Sequence, residues 1–174
     1  MNSGCASRYF GRRTGRQYHR FPKASIVVDV PTHLVTGGVV DRGPKADDLE
    51  FHRLAKQAHR RVPFDWLLGD AGYDGEHHHA FLWDDLHVLG IIPPLRGRPS
   101  KSGKPPGTFF RRFLATCWMK AIYGQRWQVE CTNSMLKRLL GENVLSRSRH
   151  TIDREVFLRI LTLNLMIVLP LFVF

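Results

Sequence analysis

The chain has 174 residues, 43% hydrophobic and 11% aromatic, which supports one domain with a real core and excludes disorder throughout. Its 26 Lys and Arg against 15 Asp and Glu give a net charge of +11 and a pI near 10.2, the balance of a protein that meets a polyanion, with nucleic acid the first candidate and an anionic membrane surface the second. Three cysteines, Cys5, Cys117 and Cys131, are odd in number and lack paired ligand spacing, so neither a zinc site nor a disulfide framework is suggested and a reducing cytoplasm fits.

Residues 1–28 contain no acid and carry Arg8, Arg12, Arg13, Arg16, Arg20 and Lys23, with no apolar run of signal-peptide type. Residues 1–24 are therefore assigned to a basic arm, and 25–169 to one α/β domain. SIVVDV and LVTGGVVD, β-branched runs on either side of Pro31, Thr32 and His33, predict an antiparallel hairpin. DDLEFHRLAKQAHRR has helical spacing, with Leu49, Leu54 and Ala58 on its inner face. WLLGD predicts a short strand ending at Asp70. AGYDGEHHHAFLWDDL then predicts a helix capped by Asp74 and packed through Phe81, Leu82 and Leu86, and HVLGIIPPL returns as a strand closed by Pro93 and Pro94. Strand, helix and strand make a βαβ unit.

Residues 96–112, RGRPSKSGKPPGTFFRR, hold six basic residues and no acid, and predict a mobile cationic loop. From about Phe113 the chain reads as helical, with a stop at Gly141 and a last, strongly apolar helix in TIDREVFLRILTLNLMIVL. The apolar end LNLMIVLPLFVF falls short of the ~18–20 residues that cross a bilayer and is broken by Pro170. It is expected to be a buried helix end followed by a short tail, 170–174, with no membrane span.

YGQRWQVECTNSMLKR sets Tyr123, Arg126, Glu130 and Lys137 at offsets that, on a continuous α-helix, fall within an arc of roughly 60°. Ile122, Val129, Leu136 and Leu140 form the apolar edge beside this polar stripe. Asp70, at the carboxyl end of a buried strand, stands where α/β sheets hold ligands, although a turn or cap role explains the same position. Glu130 reads equally as half of an exposed ion pair with Arg126. Taken jointly, the two carboxylates can share divalent cations while Arg126 and Lys137 hold phosphate oxygens.

YGQRWQVE, with Lys137 after it, and GDAGYDGE resemble the signature blocks of the DDE transposases of bacterial insertion sequences, in the group named after insertion sequence four; the resemblance runs from about Ser7 to Leu169. It implies a ribonuclease H-like mixed sheet flanked by helices, two Mg²⁺ or Mn²⁺ ions held by three acids, and phosphoryl transfer on transposon ends and target DNA. It assigns Asp70 as the second acid, Glu130 as the third, and Tyr123, Arg126 and Lys137 as residues that touch the DNA backbone or position the glutamate. The family commonly acts as a homodimer. The first acid belongs to an earlier strand in an Asp-x-Thr-Gly-like block that MNSGCASRYF does not contain, so the first strand is expected to be missing and the copy to be truncated, which leaves cutting by this chain alone open. Asp29 is the nearest substitute.

His77, His78 and His79 diverge by about 100° per residue on a helix and are expected on a solvated surface. Asp74 and Glu76 read as metal assistants or as helix-start charges. Trp118 and Trp127 read as packing residues or base-stacking platforms. Two further readings stand beside the transposase: a non-catalytic DNA-binding remnant that grips phosphates through its basic arm and loop, and a basic membrane-associated protein.

Overall fold

The computed structural model describes residues 21–43, 47–94 and 108–172, so the arm before Phe21 and residues 96–107 of the cationic stretch lie outside the described residues. The chain divides into two compact units, one of residues 1–46 and 128–174, the other Asp47–Trp127.

The first unit is built on the expected hairpin. Strands β1 (Phe21–Val28) and β2 (Val35–Gly43) pair antiparallel with Ala24 opposite Val40 and a register break at Val27/Val28. β1 begins at Phe21, four residues ahead of the predicted run, with the ladder extending to the pair Phe21 and Gly43. Helix α5 (Trp127–Leu140), from Gln128 onward, and helix α6 (Arg149–Val168), which runs on into a 3-10 turn at Leu169–Phe172, also belong to this unit. Val28, Val35, Leu136, Val156, Ile160 and Leu163 form its core, with Val129 and Leu140 packed against it. Of the predicted apolar edge, Val129, Leu136 and Leu140 lie in the seam that α5 buries, whereas Ile122 precedes α5 and belongs to the other unit.

Two local devices fasten α6 to β2. Gly38 lies against the Ile160 and Phe157 side chains, which stand 3.4 and 3.5 Å from where a Cβ would be, ordinary contact distances. Asn164 accepts the Val35 N–H at 2.9 Å and donates to the Val35 carbonyl at 3.0 Å, which satisfies both backbone groups of a buried strand residue from one side chain. α5 stops at Leu140 because Gly141 takes φ +87°, a conformation that L side chains rarely adopt. The connection after it is held by Glu155, which accepts the Leu145 and Ser146 N–H groups at 3.1 and 2.9 Å, and by Arg159, which donates to the Gly141 and Asn143 carbonyls at 2.7 Å each. Ser148 caps α6 by accepting the Thr151 N–H.

The second unit contains the predicted βαβ element. β3 (Trp66–Leu68) and β4 (Leu89–Ile91) pair parallel, with Leu67 opposite Gly90, and helix α2 (Glu76–Leu86) connects them. Helix α1 (Phe51–Arg61) joins α2 over a core of Phe51, Ala55, Leu67, Phe81, Leu82, Val88 and Ile92. Leu49 is 64% exposed, contrary to its expected inner position. Asp47–Glu50 is a 3-10 turn, whose step of about 120° takes Leu49 off the helical face that Phe51, Leu54, Ala55 and Ala58 share. Phe109–Arg112, assigned from the sequence to the cationic loop, open helix α3 (Phe109–Thr116); Gly and Pro are confined to the part of the stretch before Thr108.

Among the described residues the strands pair as two separate two-stranded sheets, one in each unit, and the class is mixed α/β. No helix among them is long and apolar enough to cross a membrane.

Candidate functional site

Asp70 stands just past the carboxyl end of β3. The chain reaches it through Gly69, buried, whose N–H extends the parallel ladder to the Ile91 carbonyl at 3.3 Å and whose missing Cβ leaves room for Ile92, 2.9 Å from where that atom would lie. Asp70 itself is exposed, and its Oδ1 accepts the Ala71 N–H at 2.7 Å, capping the 3-10 turn Ala71–Tyr73. The rim position and the cap are thus two aspects of one geometry. A carboxylate in water, with one oxygen fixed by a backbone donor, is a pre-oriented hard donor suited to a divalent cation with oxygen ligands.

Asp74, expected to cap α2, does not. Gly75 occupies the N-cap, and the Asp74 carboxylate is fully buried beside Arg111 of α3. Arg111 Nε donates to Oδ1 at 2.9 Å and Nη2 to Oδ2 at 2.8 Å, a two-pronged pair reinforced by Nη2 donating to the Asp74 carbonyl at 3.2 Å. Glu76 accepts the Phe110 N–H at 3.1 Å, and the Phe110 ring stacks on buried His79 at 5.5 Å. Asp74 and Glu76 are consequently the anchors that dock α3 on α2. Sequence reasoning missed this because a bond across 37 residues leaves no periodic trace.

The histidines also depart from the expected solvated surface: His78 is 3% and His79 1% exposed, while His77 is exposed. Burial, aided by the neighbouring His77 and His52, pushes His78 down to about 4, so its ring is neutral near neutral pH. Burial likewise lowers His79, against the pull of Asp74. His52 of α1 faces this group, with its Nε2 3.0 Å from His78 Nδ1.

The helical stretch 120–140 is not one continuous α-helix. Helix α4 (Lys120–Tyr123) passes through a 3-10 turn (Gly124–Arg126) into α5, so the uniform step behind the predicted stripe fails at Gly124–Arg126. Within the second unit, the Arg126 guanidinium lies 6.0 Å from the Tyr123 ring centre, and Tyr123 also meets Trp118 at 4.9 Å. In the first unit, Glu130 is exposed in the first turn of α5 and Lys137, half-buried in its last turn, pairs with Glu142 at 3.7 Å. Trp127 is 52% exposed. Asp70, Tyr123 and Arg126 thus belong to one unit, Glu130 and Lys137 to the other.

Asp29, read from the sequence as a strand residue, lies beyond β1 in the hairpin turn, because the ladder ends at Val28. Its Oδ2 accepts from the Thr32 hydroxyl and, at 3.3 Å, from the Thr32 N–H, which is the work of a turn-forming aspartate. His33 follows with φ 60°.

No curated protein and no solved structure matches the chain. The family model described as the transposase DDE domain matches residues 6–165, a span that includes Asp70, Tyr123, Arg126, Glu130 and Lys137. With nearly the whole sequence inside that match, the chain belongs to the transposase DDE domain family.

Proposed function

We propose that the chain is the catalytic domain of a transposase of the group named after insertion sequence four, with a ribonuclease H-like arrangement, acting on DNA by phosphoryl transfer. The observation that carries the reading is Asp70: an exposed carboxylate at the carboxyl end of a parallel strand, inside the matched family span, with Oδ1 fixed by the Ala71 N–H. In this reading Asp70 and Glu130 are the metal-holding carboxylates. Divalent Mg²⁺ or Mn²⁺, when bound, supplies Lewis-acid charge at the scissile phosphate. Arg126 and Lys137 contact the flanking phosphates, Arg126 through its two-pronged guanidinium and Lys137 as a point charge, and Tyr123 holds Arg126 against its ring. The net charge of +11 supports a sequence-independent grip on the DNA backbone.

A second reading, DNA binding without cleavage, is favoured by one observation: Asp29, the substitute considered for the first acid, is engaged by Thr32 in a turn. One experiment separates the two. Purified chain is incubated with supercoiled DNA and Mg²⁺ or Mn²⁺ beside an Asp70→Ala, Glu130→Ala double variant. Nicking by the wild type that the double variant loses supports catalysis. Retention of DNA in a gel shift, with equal and negligible nicking by both, selects the binding reading.

A further inference from the structure

We propose that His52, His77 and His78 form a binding site for one borderline transition-metal ion, Zn²⁺ by chemistry, separate from the carboxylate site. One nitrogen from each ring lies within 4.8 Å of the other two. Three imidazoles are a donor set for Zn²⁺, Co²⁺, Ni²⁺ or Cu²⁺ and not for Mg²⁺, which demands oxygen. Zinc–imidazole bonds of about 2.0–2.1 Å put two ligand nitrogens about 3.3 Å apart at a tetrahedral angle. The observed 3.0 Å between His52 Nε2 and His78 Nδ1 is near that spacing and needs little adjustment.

The obstacle raised by the sequence, that neighbours on a helix diverge, is removed by two features. His52 arrives from α1, so the ion needs only His77 and His78 from α2, and these rings stand 3.9 Å apart between centres. Their approach depends on Gly75: a Cβ there would stand 2.7 Å from His77 Cε1, 2.9 Å from its Nδ1 and 3.2 Å from His78 Cδ2. Glycine therefore admits the His77 ring beside the first turn of the helix.

The surroundings fix the two less mobile ligands. His52 stacks on Phe81 at 4.0 Å and His78 packs on Phe51 at 4.4 Å, both rings of the core, whereas exposed His77 is free to swing in as the third ligand. Beside His78 stands Asp48, whose Oδ1 is buried with no hydrogen-bond partner among the described residues. An acceptor in that state orients metal-bound imidazoles in known donor chemistry. Lys56 and Asp85, which flank His52, offset each other in charge. The fourth position is left for water or a further donor, the open pattern of a three-histidine site.

The test uses tag-free, full-length chain titrated with Zn²⁺ by calorimetry and with Co²⁺ by visible absorption. The expected result is one ion per chain with the ligand-field bands of a nitrogen-donor site. His77→Ala, an exposed change, lowers affinity roughly tenfold or more, and Gly75→Ala, which retains all three ligands but displaces His77, also weakens it. The Asp70→Ala, Glu130→Ala variant binds Zn²⁺ as the wild type does. Absence of a one-to-one site, unchanged affinity in both His77→Ala and Gly75→Ala, or loss of Zn²⁺ in the carboxylate variant overturns the proposal.

Discussion

Replacing Arg111 by Met keeps the aliphatic stem and removes the guanidinium that neutralises Asp74. The Asp74 carboxylate has no exposed surface and the Arg111 side chain is 25% exposed, so the variant removes the guanidinium from a buried charge that also has His79 Nε2 at 4.0 Å. Breaking a buried pair from one side costs about 3–5 kcal/mol; the partial exposure of Arg111 brings the expected loss to about 2–4 kcal/mol. For a chain of this size that is a fall in melting temperature of about 5–12 °C. The double variant Arg111→Met, Asp74→Asn removes the stranded charge and is expected to recover at least about half of the loss. Urea titration followed by fluorescence measures all three proteins. A loss below about 0.5 kcal/mol in Arg111→Met, or a double variant that is additively worse, refutes the idea that α3 is anchored to α2 by a desolvated pair.

Further outcomes follow from the first unit. Asn164→Leu keeps volume but leaves the Val35 N–H and carbonyl unpaired, and is expected to cost about 1–3 kcal/mol for each group that water does not reach, read by denaturant titration. Hydrogen bonds from Ser146 and Leu145, with Arg159 beside it, hold the Glu155 carboxyl at about 2, below its ordinary value of 4.5. A depressed carboxylate binds fewer protons folded than unfolded between those values, so its contribution is complete above about pH 4.5 and lost as pH falls toward 2. Glu155→Gln is thus expected to be less stable than wild type at about pH 7 and to converge with it near pH 2; a gap that stays constant with pH contradicts this.

The parts of the fold that were legible in the sequence are those encoded over a few residues. β-Branched runs around Pro31–His33 specify the hairpin, the run WLLGD and the return HVLGII specify the parallel pair, and Gly141 ends α5 through its positive φ. The periodic seam of Val129, Leu136 and Leu140 survives because α5 is regular over just that span. What escaped depends on contacts distant in sequence or on helix type. Arg111 meets Asp74 across 37 residues and His52 meets His78 across 26, so neither pairing leaves a local pattern. The 3-10 turns at Asp47–Glu50 and Gly124–Arg126 break a 100° step that the letters alone suggest, displacing Leu49 and interrupting the Tyr123–Lys137 stripe. Asp70 was the favourable case: a strand end and a cap coincide, and the motif around it is short enough to read.

The central proposal is that Asp70 and Glu130 are metal-holding carboxylates, and Mn²⁺ affinity in four proteins tests it most directly: wild type, Asp70→Ala, Glu130→Ala and the double variant, each titrated by electron paramagnetic resonance. Metal-holding roles predict that each single variant loses at least about tenfold in Mn²⁺ affinity and that the double variant binds no better than either. Single variants that bind Mn²⁺ as the wild type does contradict the account.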